Sequence, residues 1–393
     1  NGDTYTMHIR FAEDGRYGFV VEATDLAGNK SEQYISDTFV IDQTAPVIMF
    51  EGVENYSANN GVVMPVIRVD EKNIMPNESN IKYVGSNVGE VNVEKAVTTD
   101  ANGYTVVFAN IPEVKTADDL YTLTAEIYDR AGNVSTEQIV FSVNRFGSVF
   151  ALSSDTKRAV DAYYLTSPKD IVISEINVDD VVYREISVVC DGKVSKLKEN
   201  RDYTVTAQGD NAHWKSFTYK ISKNYFRKDG IYSINVYTKD KATNEQDSQS
   251  RDAKVKFVLD TTSPSIVVAG IKDECVVEAD SCDVSVNVTD NMAVADMKIM
   301  LNGKVVNEYG TDELTENGGT CQFTIMQQNS YQTLEIVSHD VAGNETKTEI
   351  NQILVCEKAT EVLSESKAAK SDSKTVMTKS FGNNTTKIVV VGL

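Results

Sequence analysis

A five-residue string, Asp-x-Ala-Gly-Asn, returns about once every hundred residues and sets what this chain can fold into. It stands at Asp25-Leu-Ala-Gly-Asn29, Asp129-Arg-Ala-Gly-Asn133 and Asp340-Val-Ala-Gly-Asn344, with Thr in place of Gly at Asp240-Lys-Ala-Thr-Asn244, and the four aspartates are 104, 111 and 100 residues apart. A fixed period in a chain of 393 residues points to several units in tandem rather than one large core. A repeat of this length suits a small two-layer β-sandwich.

The flanks repeat in register with the string. Asp14-Gly-Arg-Tyr17, Asp118-Asp-Leu-Tyr121 and Asp229-Gly-Ile-Tyr232 each place a tyrosine eight residues before the motif aspartate. Alternating strands follow, such as Tyr121–Tyr128 and Tyr232–Tyr237. A turn and a tyrosine opening the penultimate strand predict a tyrosine corner, in which the phenol bonds back to the backbone. In the fourth copy the nearest tyrosine, Tyr331, is nine residues ahead of Asp340, so that corner is expected to be shifted or absent. The motif itself reads as the turn between the last two strands. Its Asp can bond downstream amides, and Gly and Asn tolerate left-handed backbone.

Two copies run into nearly identical joints, Ile41-Asp-Gln-Thr-Ala-Pro46 and Leu259-Asp-Thr-Thr-Ser-Pro264. The proline suits the first residue of an edge strand in the following unit. The joint Asn144-Arg-Phe-Gly147 has no proline and is expected to be the freer one. Second strands read Val66–Asp70, Ile171–Ile176 and Val284–Val288, and Asp191-Gly192 and Asn302-Gly303 signal type I′ hairpins. Asn1-Gly2 and the strand after it match Asn102-Gly103 and Tyr104–Phe108, so the first unit is expected to begin midway through its sandwich, with more protein upstream.

These strings resemble bacterial Ig-like repeats, the Big-type modules of large surface or secreted proteins. The resemblance covers residues 1 to about 357. It implies an all-β fold: tandem immunoglobulin-like β-sandwich domains in an elongated array. The expected units are 1–43 (the C-terminal part of a truncated domain), 44–144, 145–261 (divergent, with Asp-Lys-Ala-Thr-Asn and a longer front half) and 262–357. Residues 358–393 read as a flexible linker, with a short helix around Glu357–Lys370, leading to a truncated membrane anchor opening at Ile388–Leu393.

With 38 basic and 58 acidic residues the formal charge is −20, which repels nucleic acid and anionic membranes. No string for a nucleophilic, phosphate-binding or zinc site occurs, and no catalytic or metal-binding residue is assigned. His8, His213 and His339 read as structural or exposed. The five cysteines are an odd number; Cys275 and Cys282 could meet across a hairpin or stay unpaired. Asn29, Asn77, Asn133 and Asn344 fit the N-x-S/T pattern, three of them because the motif turn needs Asn.

Two site hypotheses remain. Asp70, Glu71, Asp179, Asp180, Asp290 and Asn291 follow the second strands, and Asp42 and Asp260 sit at the joints; together they offer calcium oxygen ligands, although ordinary turn chemistry also explains them. Trp214, Phe217, Tyr219, Tyr225 and Phe226 could form a binding face for a host protein or glycan, while strand alternation favours a core role. The functional expectation is a non-catalytic extracellular stalk or adhesin region of a bacterial surface protein, with no cofactor. The alternatives are the accessory region of a large, for example glycan-degrading, extracellular enzyme, or repeats that bind host ligands directly.

Overall fold

A computed structural model describes residues 4–75 and 77–358 of the chain. The tail from residue 359, with the expected anchor, and the opening Asn1-Gly2 lie outside the described residues.

Three β-sandwiches follow one another, each with its own hydrophobic core. In the second unit one sheet has the order 95–99, 103–108, 66–70, 47–51, and the other 58–59, 134–143, 119–128, 80–85, 89–90. Neighbours are antiparallel except Ala58–Asn59, which runs parallel to the end of Val134–Val143. Alternation explains the layering. Along Asp119–Tyr128 every second residue is buried, and Leu123, Ala125 and Ile127 are fully so. Pro46 and Pro264 directly precede Val47–Glu51 and Ser265–Ala269, and both strands lie at sheet edges, where a missing amide costs no ladder bond.

The third unit keeps this plan and explains its longer sequence. A helix, Ser154–Ala162, is capped by Ser153 and inserted before Tyr164–Leu165, the strand that runs parallel to Val255–Leu259. The partner of the penultimate strand Gly230–Asp240 is split into Glu245–Asp247 and Val255–Leu259. In the fourth unit the helix Thr311–Glu316 precedes Thr320–Met326 in a three-stranded sheet, opposite a five-stranded one. The hairpins at 191–192 and 302–303 are two-residue loops with all four φ values positive, the type I′ geometry.

Residues 4–43 differ in kind. They form two small two-stranded sheets, and none of them is buried. Phe11, Tyr17 and Phe39 cluster with centroids 4.8–6.1 Å apart, an apolar face without an opposing sheet.

The tyrosine corners form as the spacing predicts. Tyr17, Tyr121 and Tyr232 each donate their hydroxyl to the carbonyl four residues upstream, at 2.8, 2.6 and 2.6 Å. In the fourth unit Tyr331 is 48% exposed, and Gln332 takes the buried position eight residues before Asp340. Its amide donates to the Met326 carbonyl at 3.2 Å, so an amide does the work of the phenol. All five cysteines are free thiols, Cys275 and Cys282 among them.

Candidate functional site: the joints between units

The motif turn is built around its aspartate. In the second unit Asp129 Oδ1 accepts from the amides of Ala131 and Asn133, both at 2.8 Å. Gly132 supplies the left-handed backbone at φ +93°, and in the third unit Thr243 adopts it at φ +71°. The motif asparagine was expected to share that left-handed role, and it does not. No motif asparagine has positive φ; its side chain is what matters. Asn133, Asn244 and Asn344 each donate to their own motif aspartate and across to the carbonyl of the joint residue, Asp42, Asn144 or Asp260, at 3.1, 2.8 and 2.9 Å.

A second clamp comes from the other side. The aspartate three residues before each corner tyrosine accepts from the joint segment. Asp14 takes the Gln43 amide at 2.8 Å and the Thr44 hydroxyl. Asp118 takes the amides of Arg145 and Phe146 at 2.9 and 2.8 Å. Asp229 takes the hydroxyls of Thr261 and Thr262 at 2.8 and 2.6 Å. Sequence comparison aligned these aspartates and gave them no role; their invariance beside the tyrosine was the signal.

The proline-free joint, expected to be freer, is tied by side chains from both flanking units. Asn144 is fully buried, and its Nδ2 lies among Asn177 Oδ1 at 2.8 Å, Asp240 Oδ2 at 2.9 Å and Asp179 Oδ2 at 3.1 Å. Ser142 donates to Asp179 at 2.8 Å, and Asn177 to Ser148 at 2.7 Å. Burial pushes the Asp179 carboxyl above the usual carboxylate range, against the bonds from Ser142 and Asn144. Lys241 reaches the Tyr56 carbonyl at 2.8 Å, and Asn60 reaches Thr243 at 3.1 Å. An interlocked set of this kind restrains a joint more than the missing proline frees it.

At the two proline-bearing joints three carboxylates converge instead. Asp42, Glu71 and Asp129, and likewise Asp260, Asp290 and Asp340, bring carboxylate oxygens within 4.8 Å of one another. Of the calcium candidates, Asp42, Glu71, Asp260 and Asp290 are thus gathered, while Asp70 and Asp180 stay exposed and Asn291 donates to Asp229 at 3.2 Å. Asp179 lies in the middle joint. Asp129 and Asp340 were read only as turn residues; the sequence could not show that the following unit's motif folds back onto the joint.

The other candidates resolve simply. Phe217, Tyr219 and Phe226 are core, and Tyr225 packs against it. Trp214 is half-buried and donates Nε1 to Asp119 of the preceding unit at 2.6 Å, so it serves the joint rather than an open binding face. His8 is exposed; His213 pairs with Asp210, and His339 with Asp296 and Glu345. Among the described residues no helix is long and apolar enough to cross a membrane.

Residues 2–144 match the family model of the bacterial Ig-like domain, group 3. The search of curated proteins gives no match. Among solved structures, a tetra-tandem repeat from the extending region of a large adhesion protein is 17% identical and covers 87% of this chain and 82% of its own, at TM-score 0.36. A structure from a 1.5-MDa bacterial ice-binding adhesin is 15% identical, covering 80% and 99%, at TM-score 0.26. Fibronectin(III)-like modules of Clostridium thermocellum CbhA are 11% identical, covering 53% and 94%, at TM-score 0.24.

Proposed function

Because the chain carries a bacterial Ig-like segment of group 3 in residues 2–144 and repeats its strand order in two further sandwiches, we propose that it is a non-catalytic spacer region of an extracellular or cell-surface protein. The observation that supports this reading most is the double clamp at every joint. One aspartate of the unit before and one asparagine of the unit after hold the same short connector, three times over. A connector held from both ends fixes the angle between neighbours, which a spacer needs and a chain of independent binding modules does not.

Among the described residues, side-chain hydrogen bonds between units link only consecutive units, as with Lys241 to Tyr56 and Asn291 to Asp229. The formal charge of −20 also opposes folding back. Small-angle X-ray scattering of the full chain tests the reading. A compact globule of this length has a radius of gyration of about 21 Å by the usual scaling. An extended array gives well above that, with a long-tailed distance distribution; a value near the compact one refutes the spacer.

A further inference from the structure

We infer that the joint between the third and fourth units is a calcium site formed by Asp260, Asp290 and Asp340. The inference goes beyond the spacer reading and does not depend on it. Asp260 is fully buried, and its Oδ2 has no hydrogen-bond partner. The buried Oδ1 of Asp290 has none either. Their other oxygens are weakly or singly held: Asp260 Oδ1 by the Thr262 amide at 3.3 Å, Asp290 Oδ2 by the Met292 amide at 2.7 Å. Asp340 is already anchored by the amides of Ala342, Gly343 and Asn344 at 2.8, 2.7 and 2.9 Å, which fixes its carboxylate toward the other two. Carboxylate oxygens buried side by side, two of them without a partner, are costly unless a cation joins them.

In the middle joint an amide fills the same position. There Asn144 stands where Asp260 stands here, and its amide nitrogen supplies the positive end to the three acceptors Asn177, Asp179 and Asp240. The third-to-fourth joint keeps the carboxylates; there Asn344 Nδ2 meets Asp340 Oδ2 at 2.7 Å, while the buried Asp260 Oδ2 and Asp290 Oδ1 are left without a partner. Three oxygens within 4.8 Å of one another fit the span of about 4.6–5.2 Å that one calcium ion bridges at its usual 2.3–2.6 Å. Water and backbone oxygens complete the six to eight positions calcium takes. The first-to-second triad is different in one respect: Asn73 Nδ2 donates to Asp42 Oδ2 at 2.6 Å, so an amide already meets part of that demand. The inferred site therefore rests on Asp260, Asp290 and Asp340 alone.

Isothermal titration of the full, chelator-treated chain with calcium chloride, and separately with magnesium chloride, tests the site beside calorimetric melting. The expected result is calcium binding of which Asp260→Asn and Asp290→Asn each abolish one equivalent, and which Asp180→Asn leaves intact. Heat from any other part of the chain is common to all of these and subtracts out. The fourth unit should melt about 10 °C higher at a hundredfold excess of calcium over Kd than in chelator. Asp260→Asn, which installs the middle joint's solution, should remove that calcium dependence while the circular dichroism spectrum stays native. Should either variant fail to fold, the other still reads the lost equivalent. The inference is overturned if calcium gives no heat, if neither folded variant loses an equivalent, or if magnesium at equal concentration gives the same binding and the same shift.

Discussion

Removing one oxygen from Tyr121 isolates what its hydroxyl contributes to the corner. The ring is 1% exposed and packs against Tyr83 and Phe141, with centroids 5.6 and 6.1 Å away. Its hydroxyl donates to the Ala117 carbonyl at 2.6 Å. Burial, with the charges of Asp119 and Asp118 nearby, pushes the phenol up to about 12, so at neutral pH it is a donor. Tyr121→Phe keeps every ring contact and deletes one bond, a net loss of about 0.5–1.5 kcal/mol. Ala117 is half-buried, so water can reach its freed carbonyl and the larger penalty of an unsatisfied buried group does not apply. Tyr121→Ala also removes the ring and leaves a cavity, at about 3–5 kcal/mol. Residues 44–144 enclose their own hydrophobic cluster, so urea denaturation of that segment, followed by circular dichroism, measures both. The midpoint should fall with the slope unchanged. If Tyr121→Phe unfolds with the parent while Tyr121→Ala does not, the hydroxyl is not what fixes the corner.

Other outcomes follow from the same geometry. Gly132→Val should cost about 1–2 kcal/mol through backbone strain alone, because an added Cβ meets nothing within 4 Å at φ +93°; parent-like stability in the same denaturation contradicts the left-handed turn. Limited proteolysis of the full chain should cut within residues 4–43 well before the second unit, since none of those residues is buried; equal resistance would show that they hold a core of their own. Burial raises the carboxyl pKa of Asp179, so the folded state holds that proton more tightly than the unfolded chain. Its contribution is fully present below the ordinary carboxylate pKa of about 4 and is lost as pH rises through the raised value. The stability of the parent relative to Asp179→Asn should therefore fall as pH rises from about 4 through the raised value, and thermal melts giving a flat difference refute it.

The local devices were legible because they depend on neighbours in sequence. The phenol of Tyr121 reaches a carbonyl four residues back, Asp129 binds amides two and four residues on, and Gly192 and Gly303 close two-residue hairpins; each pattern carries its own geometry. The alternation in Asp119–Tyr128 likewise declares which face is buried before any partner is known. Gln332 shows the limit. The missing tyrosine was visible, but nothing local says that a glutamine amide reaching Met326 would replace it.

The joints belong to tertiary structure. Asp42 and Asp129 are far apart in sequence, as are Asp260 and Asp340, and only the return of the motif turn to the start of its own sandwich brings their oxygens together. The missing proline at Asn144-Arg-Phe-Gly147 pointed to a freer connector, while the fold supplies Asn177, Asp179 and Asp240 around the Asn144 amide. Sequence by itself determined the repeat, the layers and the turns, because these follow from periodicity and from the φ preferences of single residues. Which polar groups share a dry space, and whether an amide or a cation must neutralise them, was decided by packing alone, since that depends on distances between residues that no spacing along the chain encodes.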